Sequence, residues 1–216
     1  MRTLMLTAGM AALATLAAAL AAPSLSAHDY AGWSDFNSRD EPALLTMGVS
    51  FKVPPGFEPS GTLLTLNDTA GKAWLRKDPG TGSETFVAFR TLYDPEGKLT
   101  GYHRDASGAW NHESLDAFWG ELLTPLKGYR AHSAGMYGDR PSADASVAVA
   151  REGDPARNEE LEMRMVMHGR AVLVMQCSDS STGAVRGHEK TVEEICTPFF
   201  DSLAFEGDAA SPAAGK

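Results

Sequence analysis

Between residues 161 and 177 the chain reads LEMRMVMHGRAVLVMQC, and the spacing of its apolar positions changes midway. In the first half Met163, Met165 and Met167 recur at every second position, the pattern of a strand with one buried face. In the second half residues 171–175 are apolar without interruption, as a strand covered on both sides requires. His168-Gly169-Arg170 predicts a turn between them. Side chains alternate along a strand, so any even-length loop here gives the same partition of faces. Met163, Met165 and Met167 share a face with Val172 and Val174, while Glu162, Arg164 and Val166 share the other with Ala171, Leu173 and Met175. The second strand is therefore expected at the centre of a sheet with a layer on each side.

The remaining pattern supplies the other elements. Val49, Phe51 and Val53 alternate with Ser50 and Lys52 before Pro54-Pro55-Gly56, predicting a half-buried first strand within residues 44–57. Residues 62–67 and 73–76 read as short strands around an Asp68-Thr69-Ala70-Gly71 turn. Residues 84–93 read as a strand with Val87, Phe89 and Thr91 opposite Phe86, Ala88 and Arg90, and residues 98–104 as a shorter polar edge. Leu115, Phe118, Trp119 and Leu122 follow helical spacing, with Asn111 or Ser114 as cap and Pro125 as stop. Further strands are expected at 131–137, 147–151 and 161–168. A closing helix is expected over 189–203, where Val192, Ile195, Phe199 and Leu203 share a face and Pro198 kinks or breaks it. Residues 28–43 show neither period and read as an irregular lead-in pinned by Trp33 and Phe36. The small, polar stretch 207–216 reads as a disordered tail.

The first 27 residues add a compartment. Arg2 followed by an uncharged stretch rich in Ala, Leu and Met reads as a secretory signal. Cleavage after Ala27 is expected, with Ala19-Leu20-Ala21 as the competing site; an uncleaved membrane anchor is the competing reading of the segment. Export points to a periplasmic or secreted protein, not an integral membrane one. Residues 44–206 then form a single domain. Of the 19 Lys and Arg only Arg2 leaves with the signal, while all 28 Asp and Glu stay, so the net charge moves from −9 to −10. An acidic surface repels phosphate backbones, which argues against nucleic acid and favours solubility, a cation or a basic protein partner. Cys177 and Cys196 are the two cysteines of an exported chain and are expected to form a disulfide tying the closing helix to the sheet.

The order of elements, the segment VSFKVPPGF at 49–57, Gly138-Asp139-Arg140-Pro141 before a strand and Ser202-Leu203-Ala204-Phe205 after the last helix together resemble the PsbP-like and DcrB-like exported proteins. The resemblance covers most of residues 44–206, with Phe57 where the pattern usually has Trp. It implies an α+β fold, an α/β/α sandwich with a mainly antiparallel sheet of about six or seven strands flanked by helices. It also implies a family of mainly non-catalytic accessory and binding proteins, with no shared catalytic residues to carry over.

Candidate chemistry changes this picture little. The chain has no G-x-S-x-G, Walker loop, H-E-x-x-H or dinucleotide-binding glycine pattern. The pairs His112-Glu113 and His188-Glu189 are adjacent in sequence, so their side chains diverge. No catalytic, cofactor or metal residue is assigned. Met163, Met165 and Met167, with Met175 and His168 nearby, form a thioether-rich stretch of the kind that suits Cu(I), yet methionine is also an ordinary core filler. His28, if first in the mature chain, would set an α-amine beside an imidazole, a Cu(II) chelate. The leading expectation is a non-enzymatic envelope protein acting on a protein partner, in one form an immunity protein against a secreted toxin. A periplasmic copper-binding protein is the alternative and a hydrolase the third reading.

Overall fold

The computed structural model describes residues 28–41, 48–60, 71–80, 82–93, 106–126, 128–150, 158–169, 171–179 and 189–207. The expected signal at 1–27, the expected strand at 62–67, the expected polar edge at 98–104, His188 and residues 208–216 lie outside them. In chain order the strands are β1 (Ser34–Asn37), β2 (Val49–Val53), β3 (Glu58–Ser60), β4 (Gly71–Lys77) and β5 (Glu84–Tyr93). Helix α1 (His112–Leu123) precedes β6 (Tyr129–Tyr137), β7 (Arg140–Ala150), β8 (Asn158–His168) and β9 (Ala171–Asp179). A π-helical turn (Val192–Cys196) then runs into α2 (Thr197–Asp201), and β10 (Ala204–Phe205) follows.

The hairpin of β8 and β9 pairs His168 with Ala171, leaving a two-residue loop in which Gly169 takes φ of 59°. That left-handed conformation is the one such a tight loop demands, and glycine adopts it without strain. The register places Met165 opposite Val174 and Val166 opposite Leu173, so the expected partition of faces holds. The large sheet runs β3-β4-β5-β9-β8-β7-β6 with every neighbour antiparallel. β9 is its middle strand, and each of its residues is buried.

A layer covers each face. On one, Leu115, Trp119 and Leu123 of α1 pack over Met163, Met165, Met167, Val172 and Val174. Asn111 caps this helix by accepting the Ser114 N–H at 3.0 Å, which satisfies one of the free donors of the first turn. On the other face Val87, Phe89, Leu173 and Met175 meet the closing helix and a second sheet of order β1-β2-β10. The α+β sandwich is thus as expected, with a small sheet added to the helical layer.

Three differences have physical causes. The lead-in 28–43 is not wholly irregular, because β1 pairs with β2 and stacks Phe36 on Phe51 at 4.5 Å. The first strand, β2, belongs to the small sheet, and its alternation serves to press Phe51 against Phe89 and Phe199 across the layer. Strand β7 begins at Arg140 rather than near Val147. Its Ser142-Ala143-Asp144-Ala145-Ser146 stretch has low strand propensity, but Ala143 and Ala145 are small enough to lie buried in the core beneath α1.

The closing helix survives Pro198 by widening before it. Proline lacks the N–H that would bond back one turn, and the preceding turn is π-helical, with Thr197 N–H reaching the Val192 carbonyl. Cys196 in this turn is bonded to Cys177 of the middle strand, their Cα atoms 5.4 Å apart. A bridge closing a loop of sequence separation 19 stabilises the fold by about 3 kcal/mol. Reduction is therefore expected to lower the melting temperature by several degrees. A melt that stays unchanged while two free thiols are titrated would refute this.

Candidate functional site

The lead-in and the closing helix together build an open groove. Ala31 N–H donates to the Asp29 carboxylate at 3.0 Å and Trp33 N–H to the Tyr30 carbonyl at 3.1 Å, folding residues 29–33 into turns. The Tyr30 and Trp33 rings meet edge to face at 5.3 Å. Tyr30 donates its hydroxyl to the Pro198 carbonyl at 2.9 Å, which fastens these turns to the helix. Between them lies a groove of about 580 Å³ lined by His28, Asp29, Trp33, Glu193, Glu194, Thr197 and Pro198. Asp29, Glu193 and Glu194 are exposed, and the lining holds no lysine or arginine.

Behind the groove runs a chain of charged contacts. His28 Nε2 lies within hydrogen-bond reach of Asp201 Oδ2, at 3.0 Å. The other oxygen of Asp201 accepts from Arg164 Nη1 at 2.6 Å. Arg164 also clasps Asp144 in bidentate fashion, Nε to Oδ1 at 2.7 Å and Nη2 to Oδ2 at 3.0 Å. Its guanidinium sits near the rings of Tyr137 and Phe200 at 5.6 and 5.5 Å. Burial by itself would lower the pKa of Arg164, but the hydrogen bonds and charges of Asp144 and Asp201 outweigh it and hold the group above its ordinary value. The Tyr30 phenol is pushed up to about 12, chiefly by burial and then by the Asp201 charge. Burial likewise raises Tyr137, whose hydroxyl donates to the Leu203 carbonyl at 2.6 Å. This chain is a fixed framework that orients His28 and the helix end.

A second cluster joins α1 to β6. His132 stands between the Tyr129 hydroxyl at Nδ1 and Asp116 Oδ1 at Nε2. The order phenol, imidazole, carboxylate resembles a relay, but Asp116 is 66% exposed and the groove lining includes none of the three. Its chemistry is that of a surface clasp.

The residues weighed for metal chemistry do not come together. Met163, Met165 and Met167 are buried under α1, whereas Met175 lies in the core on the opposite face and His168 packs on Phe205 at 4.6 Å. Among the described residues no group of three or more His, Cys, Asp or Glu is placed to hold a metal ion. His112 and Glu113 are both exposed at the start of α1. The roles of Asp201, Glu193 and Glu194 were missed from sequence, since nothing marks a helix carboxylate as facing a distant lead-in. Arg164 gave a signal, being a lone cation between Met163 and Met165.

No protein-family model and no curated protein matches the chain. Its fold is similar to that of cyanobacterial PsbP from Synechocystis, at 10% identity over 83% of this chain and 95% of that one, with a TM-score of 0.48. It is also similar to the Ran-binding protein Mog1p of Saccharomyces cerevisiae, at 12% identity over 80% and 95% of the two chains and a TM-score of 0.45. LpqN of Mycobacterium tuberculosis, involved in cell envelope biogenesis, is similar at 13% identity over 72% and 82%, with a TM-score of 0.41. The resemblance to PsbP-like proteins is one of fold, and no residue role passes across it.

Proposed function

We propose that this protein is an exported, non-enzymatic binding protein whose acidic groove receives a basic side chain of a protein partner. The observation that carries the reading is the groove itself: three exposed carboxylates, Asp29, Glu193 and Glu194, line it together with Trp33, and the lining holds no lysine or arginine. Carboxylates attract a lysine or arginine head, and an indole face adds a cation–π contact. The net charge of −10 that remains without the signal steers a basic partner toward this surface. A disulfide between the central strand and the closing helix suits an oxidising compartment. No helix among the described residues is long and apolar enough to cross a membrane. Neutralisation of a basic toxin is the form of this function in which charge complementarity counts most, through faster encounter.

Calorimetric titration with an oligolysine peptide tests the reading. The protein is expected to bind it with an affinity that falls as salt is raised, and Glu193→Gln with Glu194→Gln is expected to weaken binding about ten-fold while leaving the melt unchanged. Equal affinity for an oligoglutamate peptide, or unaltered affinity in the double variant, sinks the proposal.

A further inference from the structure

Strand β6 ends the seven-stranded sheet, and its outer side pairs with no other described strand. Natural sheets blunt such an edge with lysine, proline, a bulge or a very short strand. Here a register shift between Tyr129 and Ala131 blunts only the first end. From Ala131 to Tyr137 the sequence AHSAGMY carries no lysine, arginine, carboxylate or proline. Ala131, Ser133, Ala134, Gly135 and Met136 are exposed, and Met136, at 41%, is the exposed large hydrophobic residue among those described. Small side chains at Ser133, Ala134 and Gly135 let another backbone approach closely.

The surroundings select what would lie there. His132, Ala134 and Met136 stand on the α1 side of the sheet, since their partners Ala145, Ala143 and Pro141 do. Helix α1, which packs on this face, exposes Glu113, Asp116 and Glu121 and contains no lysine or arginine, and of these Asp116 reaches His132 of β6. On the opposite side of the sheet Ser133 faces Asp144, which is 53% exposed. The nearby cations are engaged: Arg130 with Glu160, Arg140 with Asp139, and Arg164 with Asp144 and Asp201. A second copy of this chain would bring the same carboxylates of α1 toward each other across the junction. A strand bearing lysine or arginine at alternate positions would instead meet them with opposite charge.

We propose that β6 accepts an extended, basic segment of a partner protein as an additional antiparallel or parallel strand. Main-chain hydrogen bonds along Ala131–Tyr137 would supply the pairing, and the carboxylates of α1 would select the charge. The sign of that charge rests on the function proposed above, but the site is a separate one.

The test uses the full mature protein and a short peptide alternating lysine with valine, with a glutamate–valine peptide and an N-methylated lysine–valine peptide as controls. Amide hydrogen exchange across Ala131–Met136 is expected to slow about ten-fold or more when the lysine–valine peptide is bound. Ser133→Lys with Ala134→Lys, both at exposed positions, is expected to weaken that binding about ten-fold. N-methylation, which removes backbone donors and keeps the charge, is expected to abolish the protection. Binding that leaves β6 exchange unchanged, or that persists after N-methylation, overturns the proposal. So does a sedimenting dimer whose β6 amides are protected without peptide. Protection of β6 that survives Glu193→Gln and Glu194→Gln, together with silent groove residues, would sustain this inference while the groove reading failed.

Discussion

Trp119→Ala is expected to cost about 4 kcal/mol of unfolding free energy, the middle of the range for truncating a core aromatic. Trp119 is fully buried and is the largest side chain that α1 contributes to the layer over Met163, Met165 and Val174. Removing it leaves a void that the stiff central strands β8 and β9 cannot collapse to fill. Trp119→Phe should behave quite differently. Among the described residues the buried indole Nε1 has no hydrogen-bond partner, so phenylalanine gives up some packing but also removes an unsatisfied donor, whose burial costs about 1–3 kcal/mol. The net loss is expected to stay below about 1.5 kcal/mol. Urea unfolding of both variants checks this, and a phenylalanine variant as unstable as the alanine one would show that the indole N–H has a partner.

The second large effect is expected at Arg164. Its side chain is 15% exposed and that of Asp201 is 16% exposed, so Arg164→Met leaves a nearly buried carboxylate with an apolar group at Oδ1 and the His28 imidazole at Oδ2. Breaking one side of such a pair costs about 3 kcal/mol, most of it from the uncompensated charge that remains. Replacing both partners, Arg164→Met with Asp201→Asn, should recover much of the loss. A double-mutant cycle measured by urea unfolding is expected to give a coupling of about 2 kcal/mol. Strictly additive losses would mean that the two residues do not act as a pair, and the framework behind the groove would need another explanation.

These two sites also show what was legible in the chain. The alternation of Met163, Met165 and Met167 and the unbroken run that follows placed β8 and β9 correctly, because side-chain parity is a local property of a strand. Asn111 and Pro125 marked α1 for the same reason. Strand β7 was half hidden, since Ala143 and Ala145 are chosen for closeness to α1 rather than for strand propensity. β1 was hidden because its four residues acquire meaning only through Phe51 of β2. The groove was the least legible. His28 and Asp201 are separated by 173 positions, and their meeting depends on where β2, β10 and the closing helix fold back over the large sheet. The disulfide was legible because the chain has two cysteines and they have few alternatives to each other.

Backbone amide shifts on titration with oligolysine test the central claim most directly, because they report position as well as affinity. The largest changes are expected at Asp29, Trp33, Glu193, Glu194 and Thr197, and they are expected to vanish with Glu193→Gln and Glu194→Gln. Changes spread evenly over the exposed carboxylates of the whole surface, or none in the groove at saturating peptide, would contradict it.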